Sequence, residues 1–114
     1  MQCFCKHKET YDLKVEGDVY TDPIWCNQCT CNFEIEEVPI SDDLKEELMR
    51  WAMMSGEWIN WSKDTLRPNG IELENEHNKL GQHLAEKVKI ELGTNYKVRF
   101  SPSSSARMYA GLEF

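Results

Sequence analysis

Apolar and polar residues alternate from Tyr11 to Glu16, with Tyr11, Leu13 and Val15 on one side and Asp12, Lys14 and Glu16 on the other. A period of two predicts a half-buried strand. Glu16-Gly17-Asp18 follows as a turn signal, and residues 19–25 return as an edge or irregular strand containing Pro23. Cys31, Phe33 and Ile35 then alternate with Asn32, Glu34 and Glu36, which predicts a third short strand. The period changes after Pro39. Ser41 is placed to cap a helix whose first turn carries Asp42 and Asp43 at the positive end of the dipole. At roughly 100° per residue, Leu44, Leu48, Trp51, Ala52, Met54, Ser55, Trp58, Ile59 and Trp61 fall on one broad face. The pattern therefore predicts a helix from Ser41 to about Trp61, with Gly56 as a weak point inside it.

Residues 62–70 contain Asp64, Pro68, Asn69 and Gly70 and read as a loop. A second helix is expected from Glu72 to Leu92, stopped by Gly93, with a stripe of Leu73, His77, Leu80, Gly81, Leu84, Val88 and Leu92. Tyr96, Val98 and Phe100 alternate with Lys97 and Arg99 as a last strand. Its basic side is expected beside Glu34 and Glu36 of the third strand. Residues 101–105 read as a loop, and the tail beyond them is apolar enough to dock. The expected fold is α+β: an N-terminal three-stranded unit, two amphipathic helices and a C-terminal strand. We expect one domain over 1–114, with parts at 1–40, 41–100 and 101–114.

Charge changes the picture in one respect. The net charge of −7 removes the electrostatic attraction that drives non-specific binding to nucleic acid. Acids dominate from Glu34 to Glu57, whereas Lys97, Arg99 and Arg107 lie in an acid-free C-terminal stretch. No apolar run reaches the length of a membrane span, and no signal-peptide pattern opens the sequence, so the cytoplasm is the expected compartment.

The candidate chemistry lies in the five cysteines, all within the first 31 residues. In a reducing compartment, clustered thiols more often bind metal than form disulfides. Cys26-Asn-Gln-Cys29 has the spacing that lets two sulfurs meet one ion. The second pair is expected from Cys5 and His7, with Cys3 as the alternate ligand; Cys31 shares a side with Phe33 and Ile35 and reads as a small buried residue. Cys5-Lys-His7 together with Trp25-Cys26-Asn-Gln-Cys29 resembles the zinc-ribbon family, although Thr30 stands where a glycine is common. The resemblance covers under a third of the chain. It implies a structural zinc and a small three-stranded sheet, and little about activity.

Three further features have a chemical and a structural reading. Glu74-x-x-His77 has the spacing of a di-iron carboxylate–histidine pair but lacks a second copy, so a core histidine with one hydrogen bond is expected. Trp51, Trp58 and Trp61 read as core before platform, with Trp61 the best candidate for exposure. The serine run at 103–105 could cradle a phosphate beside Arg99 or Arg107, but reads first as a loop. The chain is thus expected to be a small zinc-binding adaptor or regulator that docks on an unidentified protein and is not an enzyme. The alternatives are a nucleic-acid-binding ribbon using Lys97, Arg99 and Arg107, and a metal-dependent hydrolase.

Overall fold

The computed structural model describes residues 1–3 and 8–111. Strands β1 (Gln2–Cys3) and β2 (Lys8–Glu9) form a small antiparallel ribbon. Three strands follow: β3 (Asp12–Glu16), β4 (Ile24–Cys26) and β5 (Asn32–Phe33). A 3-10 turn at Ile35–Glu37 leads to helix α1 (Asp42–Met53). A hairpin of β6 (Ile59–Asn60) and β7 (Thr65–Leu66) comes next, then helix α2 (Gly70–Leu92), strand β8 (Lys97–Ser101) and the short helix α3 (Ser105–Tyr109).

The main sheet has the order β5-β4-β3-β8. The β3–β4 and β4–β5 pairs are antiparallel, and β8 joins β3 in parallel from Asp12↔Lys97 to Glu16↔Ser101. The alternation from Tyr11 onward is thereby explained: Leu13 and Val15 are fully buried between the sheet and the helices. They pack with Ile24 and Phe33 from the sheet, Leu44, Leu48 and Trp51 from α1, and Leu84, Ala85 and Val88 from α2. A second, smaller core of Trp58, Ile59 and Ala106 lies under the hairpin and α3.

The α+β class is as expected, but the N-terminal three-stranded zinc ribbon expected to pack with the helices is not what the described residues form. Its three expected strands are three-quarters of a larger sheet completed by β8. The physical reason is that β3 has two hydrogen-bonding edges, and the chain returning from α2 satisfies the one that a ribbon would leave open. The expected pairing of Lys97 and Arg99 with Glu34 and Glu36 is also overturned. Strand β8 lies at the edge opposite β5, and its Lys97 and Arg99 stand beside Asp12 and Lys14.

The first helix is shorter than its pattern. Ser41 does cap it, its Oγ accepting from the Leu44 amide at 3.3 Å. Both the amide and the hydroxyl of Ser41 also donate to Glu91, tying the start of α1 to the end of α2. At the other end the amides of Met54 and Ser55 bond three residues back, to Trp51 and Ala52, which tightens the last turn. Gly56 then takes φ +86°, a left-handed conformation that ends the helix. Trp58 and Trp61 therefore do not ride on α1. The loop expected at 62–70 is partly the second strand of the hairpin, turned through Asp64 at φ 51°.

Candidate protein-interaction surface

The break at Gly56 creates a concave surface. The chain leaving α1 turns sideways, so Met54, Glu57 and Trp58 face α2 across a cleft. On α2, Leu73, Glu76, His77 and Leu80 supply the other wall, the spacing that puts residues on one helix face. This cleft has a volume of ≈ 190 Å³. It runs into a wider hollow of ≈ 600 Å³ that shares Glu57 and Leu73 and adds Val19, Met53, Trp61 and Arg67. On its other side it meets a third depression through Met54 and Leu80, which also touches Glu47 and Arg50. The apolar side chains along this groove are unusually open to solvent: Met53 is 69% exposed, Trp61 66% and Leu80 42%. The carboxylates of Glu57 and Glu76 stand at its rim, and neither forms a salt bridge or side-chain hydrogen bond among the described residues.

His77 is the back wall of the cleft. It is only 8% exposed and lies against Trp51, with ring centroids 4.6 Å apart and planes 11° from parallel. Trp58 meets it at 5.1 Å and 59°. Two reciprocal bonds lock the helices here: Trp51 Nε1 donates to the His77 carbonyl at 2.9 Å, and His77 Nε2 lies 3.0 Å from the Trp51 carbonyl. A carbonyl only accepts, so Nε2 carries the proton in the neutral ring and Nδ1 is the lone-pair nitrogen. Nδ1 is buried with no partner among the described residues. Burial pushes the His77 pKa below the ordinary 6.5, partly countered by the Trp51 carbonyl and by the negative charges of Glu57 and Glu74. The core histidine with one hydrogen bond is thus what the structure contains.

Behind this wall a polar network holds the C-terminal segment. Glu74, 1% exposed, accepts from Ser103 Oγ at 2.7 Å, from the Ala106 amide at 2.9 Å and from Ser105 Oγ at 3.4 Å. Ser105 Oγ in turn accepts from Trp58 Nε1 at 2.8 Å. Asn78 bonds both the amide and the carbonyl of Ser103. The hydroxyls of Ser103 and Ser105 are therefore aimed at a carboxylate, and a phosphate in that place would face negative charge. Glu74 acts as a polar brace for residues 103–106, with no second carboxylate–histidine pair beside it among the described residues. Periodicity alone missed this role, because a glutamate between stripe residues reads as solvent-facing.

The expected metal ligands are placed only in part. Cys5 and His7 lie outside the described residues, and of Cys3 only the backbone, in β1, is described. Cys26 and Cys29 do share one tight turn, in which the Thr30 amide bonds the Cys26 carbonyl and Thr30 adopts φ 64°. That is the conformation for which a glycine is common after a knuckle. Burial raises the Cys26 thiol pKa, but hydrogen bonds from Thr10, from the backbone at Cys29 and Gln28, and from the Cys29 side chain outweigh it and bring it to about 7. Among the described residues no group of three or more histidine, cysteine or acidic side chains could hold a metal ion. Cys31 packs at the margin of the core. Lys97, Arg99 and Arg107 are all exposed, the first two on β8 and the last on α3. No helix among the described residues is long and apolar enough to cross a membrane.

A comparison with curated proteins gives no match. The family model described as Serratia CdiI immunity protein-like matches residues 11–103. The match takes in the main sheet, α1, the hairpin and α2, so it overturns the zinc-ribbon assignment, which rested on two short motifs in the N-terminal third. The chain belongs to the Serratia CdiI immunity protein-like family.

Proposed function

We propose that this protein is an immunity protein: it binds a toxin and neutralises it by occupying its surface, without catalysing a reaction. The observation that carries the reading is the family match over residues 11–103. The physical character of the chain agrees with it. A groove lined by exposed Met53, Trp61 and Leu80 offers the large flexible and aromatic side chains that supply binding energy at protein interfaces. The net charge of −7 would steer a partner with a positive surface and raise the rate of encounter.

The test is protection. Reading frames flanking the gene are expressed from an inducible promoter, with and without this chain, and growth is followed. One frame is expected to arrest growth alone and to be rescued by co-expression. Its purified product is expected to form a stable complex by size-exclusion chromatography, with an association rate that falls as salt rises. If no flanking product is toxic and bound, the immunity reading is wrong.

A further inference from the structure

The cleft between the end of α1 and α2 is too small for a typical small-molecule ligand. Its ≈ 190 Å³ falls below the several hundred Å³ of such sites, but it is of a size for one long side chain. Its walls differ in kind. Met54, Leu73 and Leu80 are aliphatic, while Trp58 and His77 back the cleft with little open surface, at 2% and 8% exposure. Glu57 and Glu76, both exposed, line it from different elements, with no cation of the described chain paired to either. His77 lines the cleft but is 8% exposed, and its unpartnered Nδ1 is buried, so the two carboxylates are the acceptors open to a ligand. The cleft thus combines apolar walls for a stem with two exposed, unpaired carboxylates for a cationic head.

We propose that this cleft receives an arginine side chain projected from the surface of the partner protein, its aliphatic stem on Met54, Leu73 and Leu80 and its guanidinium at Glu57 and Glu76. Arginine fits better than lysine. Its planar head carries donors in a fork that can serve two carboxylates, where an ammonium is a single point charge. Long cationic side chains bury their stems along apolar surface while keeping the head at a polar rim. Arginine is also among the residues that dominate binding when seated in a pocket at an interface. The inference rests on the protein-binding reading above and names the place and chemistry of its anchor.

The probe is N-acetyl-L-arginine amide, titrated into ¹⁵N-labelled protein and followed by NMR. The expected result is a saturable shift of the Trp58 indole signal and of the Glu57, Glu76 and Leu80 amides, with an affinity of roughly millimolar for so small a fragment. N-acetyl-citrulline amide, the uncharged isostere, is expected to bind at least about tenfold more weakly. The double variant Glu57→Gln/Glu76→Gln alters two exposed side chains and is expected to keep the fold and lose the response. No shift with the arginine probe, or equal shifts with citrulline, overturns the proposal. Concentration-dependent shifts of the same signals without any probe, matched by dimer in sedimentation, would mean that a second copy fills the cleft, and would also overturn it. The two readings separate cleanly. Probe binding with no toxin rescued removes the immunity reading and leaves the cleft. Rescue by wild type and double variant alike, with no probe binding, removes the cleft and leaves immunity.

Discussion

Replacing Gly81 by alanine tests the packing that sets the groove. Gly81 lies in the middle of α2, where helix propensity alone would favour alanine by about 1 kcal/mol. The structure opposes that gain. A Cβ at this position would come 2.4 Å from Phe100 Cε1, 2.5 Å from Trp51 Cζ2 and 2.7 Å from Phe100 Cζ. Carbon atoms in good contact stand about 3.5–4.0 Å apart. Trp51 is 2% exposed and fixed by its stacking on His77 and its bond to the His77 carbonyl, so it cannot move aside without breaking both. Phe100 is half-buried on β8 and must swing outward or push the strand away. Overpacking of this kind costs about 1–3 kcal/mol, and three ring contacts this close place it at the upper end. Subtracting the propensity gain leaves a net loss of about 2 kcal/mol. That corresponds to a fall in Tm of about 8 °C for a chain of this size. Urea unfolding followed by tryptophan fluorescence measures it, with Gln82→Ala on the exposed face of α2 as the control for propensity. Phe100→Leu in the Gly81→Ala background should recover part of the loss. A Gly81→Ala variant with the wild-type midpoint or a higher one, at unchanged m, would refute the reasoning.

Two other outcomes are expected. Glu74→Ala leaves the Ser103 hydroxyl and the buried Ala106 amide without their acceptor, and should cost about 2–4 kcal/mol in urea unfolding; a loss below about 0.5 kcal/mol would show that residues 103–106 dock without the carboxylate. His77 has a folded-state pKa below its unfolded 6.5, so between those two values the unfolded chain binds more protons. Stability should therefore be full above pH 6.5, fall as pH drops from 6.5 through the lower folded pKa, and level off beneath it; His77→Gln should lack that component, and a wild-type slope unchanged by the substitution contradicts it.

Much of the groove was legible in pieces. Trp61 was marked for exposure by its place at the end of the pattern, and it is the most exposed of the tryptophans named on that face. Of the expected core stripe of α2, Leu73 packs on the second core while lining the cleft, Leu80 stands 42% exposed, and Glu74 and Ala85 are buried beside the stripe. The buried face is wider than the stripe because α2 meets α1, the main sheet and the segment 103–106. A single narrow periodic face cannot represent all three. The donors that make Glu74 burial tolerable come from residues 29 to 32 positions away, beyond the reach of any local pattern.

The sequence by itself determined the elements that local periodicity and capping encode. These are the strand at Asp12–Glu16, the start of α1 at Ser41, the end of α2 at Gly93 and the strand before Ser101. Each depends on side-chain spacing and backbone preference within a few residues, so each can be read without knowing its neighbours. Tertiary structure alone decided where those elements meet. It placed β8 on the free edge of β3, turned the chain away at Gly56 and brought Glu57 opposite Glu76. Strand edges and helix faces accept many partners of similar chemistry. Only the packing of the whole chain selects among them, and the acidic cleft offered to a partner exists only once that selection is made.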